Sequence, residues 1–210
     1  MSIINILIVI AGDFMDRKPR AKMIEETRDK LLATARKHFG TVGYANTIMD
    51  ELTGNVGLTR GALYHHYGDK KGLFYAVAQQ LDMEMDAELN EISRTRNDPW
   101  CAFEQRCHAY LRMAIKPEVQ QIMLRDAAAV LDAEKLLVMR TKCIFSIATM
   151  LEQLMEMGII KQAHPQILAR LINGALMDAS LWIANNDDGE VALKFALDSL
   201  DILLRGLKNG

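Results

Sequence analysis

The chain has 210 residues, half of them hydrophobic and a quarter charged, with a formal net charge of −2. This length and balance exclude a disordered or fibrous chain and allow one large or two small packed domains. Only four prolines and few alternating Val/Ile/Thr runs make helix the economical reading, and three cysteines, an odd number, give no disulfide framework and point to a reducing cytoplasm.

The opening Met1–Ala11 is apolar but has no basic residues before it and is too short to span a bilayer, so no membrane segment is expected. Met15-Asp-Arg-Lys-Pro-Arg20 reads as a more natural beginning. Residues 1–14 are therefore expected to be an upstream extension, and residues 1–16 are set apart from the first domain. From about Lys22 to Val42, Ile24, Leu31, Ala35, Phe39 and Val42 recur on one face of an amphipathic helix, which Gly40 and Gly43 are expected to end.

Asn46 or Thr47 then caps a short helix through Asn55. Val56-Gly57-Leu58 makes a turn, and Thr59 caps a helix of about one and a half turns. Asp69 caps the next helix, roughly 25 residues long, which carries Leu73, Phe74, Val77, Leu81, Met85, Leu89 and Ile92 on one side. Asn97-Asp98-Pro99 is a stop-and-restart signal. Helices follow at about 99–115, 117–131, 134–157, 164–184 and 189–207, with Pro117 and Pro165 in first turns and Gly158 and 185–189 marking ends. The fold class is all-α, and no repeat or flexible linker divides it.

Charge is unevenly spread. From Arg17 to Lys71 there are 11 Lys/Arg against 6 Asp/Glu, whereas from Leu73 onward there are 14 against 19. A basic front on an acidic body fits an acidic partner that touches only the front, although Glu25, Glu26 and Asp29 among those bases also fit an ordinary solvated helix.

The stretch Thr47–Tyr67 has the marks of a helix-turn-helix. Thr53 is the small residue where two helices cross, Gly57 the turn, and Leu52, Val56, Leu58 and Leu63 the packing set. The second helix opens Thr59-Arg60-Gly61-Ala62, short side chains and one guanidinium that let a backbone approach a DNA groove and offer a fork to guanine. Tyr64, His65, Tyr67, Lys70 and Lys71 suit phosphates.

These residues resemble the tetracycline-repressor (TetR) family of bacterial regulators over about Glu26 to Ala76. The resemblance is carried by Phe39-Gly40-x-x-Gly43-Tyr44, Thr47, Gly57-Leu58-Thr59-Arg60-Gly61-Ala62-Leu63-Tyr64 and His66-Tyr67-x-x-Lys70-x-x-Leu73. It implies an N-terminal three-helix helix-turn-helix DNA-binding domain, here residues 17–68. It also implies a larger C-terminal helical ligand-binding and dimerisation domain, residues 69–210, whose last two helices pair across a homodimer. By position, Thr47, Thr59, Tyr64, His65 and Lys70 would contact phosphate, and Arg60, Gly61 and Ala62 would face base edges. Thr53-Gly54-Asn55-Val56 departs from the alanines more usual there, and Gly54 and Asn55 cost up to roughly 1 kcal/mol each in a helix.

In the body, Trp100, Phe103, Cys107, Tyr110, Met113, Met123, Met139, Cys143 and Met177 are soft and aromatic residues suited to an adaptable effector pocket, or to plain core. The last two helices carry more apolar residues than one buried face needs. Leu168, Leu171, Ile172, Ala175, Ala179, Phe195, Leu200 and Leu203 are the candidate dimer interface. No metal site is expected: Cys101 and Cys107 point to different helix faces, and Cys107 and His108 diverge by about 100°. No cofactor is implied, and no convergent acid/base or nucleophile set marks an enzyme.

The expectation is thus a homodimeric, cytoplasmic repressor that binds palindromic double-stranded operator DNA and is released by a small hydrophobic effector. A helical protein-interaction adaptor and a DNA-binding activator without an effector are the alternatives.

Overall fold

The computed structural model describes the backbone of residues 3–56 and 60–209, and the side chains of residues 25–54, 61 and 63–209. All regular elements among them are helical. The helix α1 (Ile3–Asn46) is followed by α2 (Met49–Val56) and α3 (Arg60–Tyr67), which with it form the front of the molecule. The helix α4 (Lys70–Arg94) leads into the body. There α5 (Pro99–Met113), α6 (Pro117–Val119), a π-helical stretch (Gln120–Asp126), α7 (Ala127–Val130), α8 (Ala133–Glu156), α9 (Pro165–Ala184) and α10 (Gly189–Arg205) follow.

Local chemistry explains most boundaries. Asp69 caps α4 through a 2.6 Å bond from Gly72 N, Asp98 caps α5 from Cys101 N, Asp132 caps α8 from Lys135 N, and Asp188 caps α10 from Val191 N. Each carboxylate satisfies an amide that the helix leaves without a partner. Pro99, Pro117 and Pro165 occupy first turns, where a missing N–H costs nothing. Gly43, not Gly40, breaks α1, with φ 80° and ψ 169°. Gly68 turns α3 into α4 at φ 76°.

Gly72 answers a packing demand rather than a torsional one. A Cβ there would lie 1.9 Å from the Tyr67 carbonyl oxygen, so the end of α3 can close onto the first turn of α4 only over a glycine.

Two hydrophobic clusters fill the interior. One joins α5, α8, α9 and α10 around Phe103, Leu111, Leu151, Leu154 and Ile183. The other starts in the front, with Leu31, Phe39, Leu52, Leu63 and Phe74. It continues along α4 to Met113, Ile122 and Met139, so the packing runs unbroken past residue 68 into the body. Phe39, Tyr44 and Phe74 form an aromatic group with centroids 5.2–5.9 Å apart. His108 on α5 and Asp201 on α10 meet at 2.5 Å and pin the last helix to the core.

Candidate nucleic-acid interface and the cavity behind it

Leu52 and Leu63 are fully buried where α2 and α3 cross, and the small Thr53 is buried beside them, its hydroxyl donating to the Met49 and Asp50 carbonyls. That packing turns the opposite side of α3 outward. Gly61, Tyr64, His65 and His66 are exposed, Tyr64 by 48%, and the two imidazoles stack at 5.4 Å. Arg60 and Ala62 lie on the α3 backbone, with side chains outside the described ones. Gly57, Leu58 and Thr59 lie outside the described residues altogether.

Two expected phosphate ligands are placed differently. Thr47 is only 3% exposed, and its hydroxyl donates to the Gly43 carbonyl at 2.8 Å. The kink at Gly43 frees that carbonyl from the helix, and the hydroxyl takes up the acceptor. Lys70 is turned back onto its own chain. Its ammonium donates to the Ala45 carbonyl at 3.3 Å and lies 4.6 Å from the Tyr44 ring centroid. Partial burial lowers its pKa from the usual lysine value. Lys71 pairs with Asp132 at 3.4 Å. These groups shape the front and tie it to the body.

Sequence reasoning missed the strongest of those ties. Arg36 on α1 makes a two-pronged contact with Glu118 on α6, at 2.6 and 2.8 Å, and a third bond of 2.7 Å to Glu84 on α4. These hydrogen bonds hold the Arg36 pKa above its usual value and lower that of Glu84. Eight residues further along each segment, the Tyr44 amide donates to Asp126 Oδ2 at 2.8 Å, and Gln121 Nε2 donates to the same oxygen at 3.0 Å. A Cβ on Gly43 would lie 2.9 Å from Gln121 Nε2, so the π-helical stretch sits hard against the kink.

The other side of that stretch faces a cavity of about 190 Å³ between α4, α5, α8 and α9. Met123, Leu124, Ala127 and Ala128 form its wall, so residues 118–128 lie between the front and the cavity. Of the expected pocket residues, Tyr110, Met123, Met139, Cys143 and Met177 line it. Trp100, Phe103, Cys107 and Met113 do not; they are buried core. On α5, Phe103, Cys107 and Leu111 share the stripe packed against α8–α10. Tyr110 and Ala114, also one turn apart, look into the cavity. Burial pushes the Cys107 thiol up to about 12 and Cys143 up to about 11, which leaves both unreactive.

The outer face of α9 and α10 is apolar and open. Leu171, Ala175, Phe195 and Leu203 are exposed, Phe195 by 58% and Leu203 by 62%, around a shallow groove that includes Ala179 and Trp182. Leu168 is half-buried against the body. Of the expected interface residues, Ile172 belongs to this chain's own core, and Leu200, buried in that core, also lines the groove. The same apolar periodicity serves both purposes, so sequence alone could not part them. By length and composition α9 could cross a bilayer, but its apolar residues divide between this face and the core.

A family model described as bacterial regulatory proteins, tetR family, matches residues 31–77, from α1 into α4. A second, described as the tetracyclin repressor-like C-terminal domain, matches residues 100–207, more than half of the chain. The chain belongs to the TetR family. It is 25% identical over 162 residues to the transposon Tn10 TetC protein of Escherichia coli, covering 77% of this chain and 82% of that protein. It is 41% identical over 66 residues to the transcriptional repressor AcnR of Corynebacterium jeikeium, covering 31% of this chain and 34% of that protein. The crystal structure of a TetR-family transcriptional regulator from Pectobacterium atrosepticum superposes with a TM-score of 0.81 at 48% identity, covering 90% of this chain and 97% of that one. The protein is therefore a DNA-binding transcriptional regulator with an N-terminal helix-turn-helix and a helical C-terminal domain. Among the described residues no group of three His, Cys, Asp or Glu side chains could hold a metal ion.

Proposed function

We propose that this TetR-family regulator is a cytoplasmic homodimeric repressor that leaves a palindromic operator when a small effector enters the cavity between α4, α5, α8 and α9. The observation that carries the reading is the shared wall: residues 118–128 bind α1 through Glu118, Gln121 and Asp126 on one side and line the cavity on the other. A ligand that displaces Met123 or Leu124 would reposition α1, and with it α2 and α3. A differential affinity of roughly 1–3 kcal/mol between the two arrangements gives a 5–150-fold change in DNA affinity.

The open apolar face of α9 and α10 supports a two-fold pairing of four helices. Such a dimer would set its two readers about 34–36 Å apart, one turn of DNA. Thr59, Arg60, Gly61, Ala62, Tyr64 and His65 would meet the DNA, with the exposed Gly61, Tyr64 and His65 supporting that side of α3 as the contact face.

Fluorescence anisotropy on DNA fragments from upstream of the protein's own gene, from low to moderate salt, tests the reading. The expected result is saturable, salt-sensitive binding of two protomers per site. Absence of binding at low salt, or binding by a monomer, overturns it.

A further inference from the structure

The cavity is mostly apolar, with Arg140 of α8 and Tyr110 of α5 at its lining and two further polar places. Met85, Leu89, Met123, Leu124 and Met139 supply a flexible hydrocarbon and thioether surface. The first polar place is on α4, where Asp82 and Asp86 stand one turn apart and are both half-buried. The second is on α9. Ser180 is 2% exposed and its hydroxyl has no hydrogen-bond partner, while the buried Asn173 donates only weakly, at 3.8 Å, to Met177 Sδ.

The cations that share this corner are on α8: Arg140 lines the same cavity, and Lys142 acts on Asp82 against the effect of burial. Among the described residues no ion pair closes on either aspartate. Arg36 is held by Glu84 and Glu118, and Lys116 by Glu88, while Arg106 donates to Asn90 through Nη1 and keeps a buried Nη2 without a partner. Arg140 and Lys142 lie exposed on α8. Burial, with Asp86 beside it and Lys142 opposing, pushes the Asp82 carboxyl up to about 6, so it is still ionised at pH 7.5. A half-buried carboxylate pair with no ion-pair partner and an orphaned hydroxyl are both costly beside apolar walls. One class of ligand relieves the charge and offers donors besides.

We propose that the effector is a small amine, protonated in the bound state, with its ammonium between Asp82 and Asp86 and an apolar or aromatic body among the methionines. This deepens the proposed function and rests on the cavity being its effector site. Ser180 accepts a second N–H or O–H from ligands that carry one. The volume of about 190 Å³ selects a fragment-sized body rather than a drug-sized one.

Three probes of one carbon skeleton test this by isothermal titration calorimetry on the full chain at pH 7.5: 4-phenylbutylamine, 4-phenylbutanol and 4-phenylbutyrate. The amine is expected to bind at least fivefold more tightly than the alcohol, and the carboxylate more weakly than either. In the double variant Asp82→Asn, Asp86→Asn the fivefold preference for the amine disappears, while thermal melting by circular dichroism shows the variant folded.

No binding of any probe, an amine preference below fivefold, or a preference that survives in the folded double variant overturns the proposal. A preference for the carboxylate also overturns it and assigns the head group to Arg140. Anisotropy on DNA is read separately. If the alcohol or carboxylate releases DNA and the amine does not, the effector cavity stands and the amine falls. If the amine binds with the stated preference and DNA stays bound, the amine site stands and the release mechanism falls.

Discussion

Asp82→Asn should make this protein more stable, and the gain should grow with pH. The folded Asp82 carboxyl is raised from 3.8 to about 6, first by burial, then by Asp86, with Lys142 as the opposing charge. Tyr110 on α5 and Cys143 and Arg140 on α8 also face this corner, and neither Tyr110 nor Cys143 carries charge below pH 9, since burial raises both pKa values. A shift of about two units corresponds to about 3 kcal/mol in an unscreened site. Asp82 is only half-buried, so solvent screening reduces this to about 1 kcal/mol.

The sign follows from proton linkage. Between pH 4 and 6 the folded state holds a proton that the unfolded state has lost, so the wild-type protein loses stability as pH rises through that window. The asparagine variant has no such loss. Urea denaturation at one fixed protomer concentration, at pH 4.5 and pH 7.5, measures the difference, and the remaining titrating groups largely cancel between variant and wild type. A gain near zero at pH 4.5 and about 1 kcal/mol at pH 7.5 is expected. A variant less stable than wild type at pH 7.5, or an offset independent of pH, would refute the reasoning.

Other substitutions probe the reader and the face. Arg60→Ala should weaken operator binding by about 1–3 kcal/mol while leaving affinity for unrelated DNA nearly unchanged, as competition anisotropy would show. If the proposed homodimer forms through this face, Leu203→Glu should leave a folded monomer in light scattering, because Leu203 is 62% exposed and contributes little to the chain's own core. Gly72→Ala should cost more than 2 kcal/mol in denaturation and abolish operator binding, since its Cβ would meet the Tyr67 carbonyl oxygen at 1.9 Å.

Periodicity and punctuation exposed most of the fold. Asp69 and Asp98 cap helices, Pro99 and Pro165 open them, and α4 runs its 25 residues as its stripe from Leu73 to Ile92 implies. The π-helical stretch left no trace, because an i→i+5 pattern over seven residues has no hydrophobic period distinct from its neighbours. The contacts of Arg36 with Glu118 and of Asp126 with Tyr44 join residues 82 apart, beyond any local signal. For the cavity, chemistry alone chose methionines and aromatics without knowing which side of α5 faced inward. It therefore gathered Phe103 and Cys107 with Tyr110, and it passed over Asp82 and Asp86 beside the apolar stripe of α4. The flank of that stripe was the one available clue, since two acids a turn apart next to Leu81 and Met85 are half-buried by position.

Asp126 offers the sharpest test of how the cavity speaks to the reader. Its carboxylate accepts from the Tyr44 amide at the α1 kink and from Gln121 within the π-helical stretch, and it does not itself line the cavity. Asp126→Ala should therefore leave ligand affinity within about twofold, yet loosen the link that makes DNA affinity depend on the ligand. In wild type the ratio of DNA dissociation constants with and without saturating ligand should lie in the 5–150-fold range. The probe is whichever of the three phenylbutyl compounds releases DNA. In the variant that ratio should fall toward one. Linkage requires the reciprocal ratio, ligand affinity with and without DNA, to fall equally, so two independent titrations must agree. A ratio unchanged in a variant that still binds both partners would mean that the message passes along α4 without using the Asp126 contact.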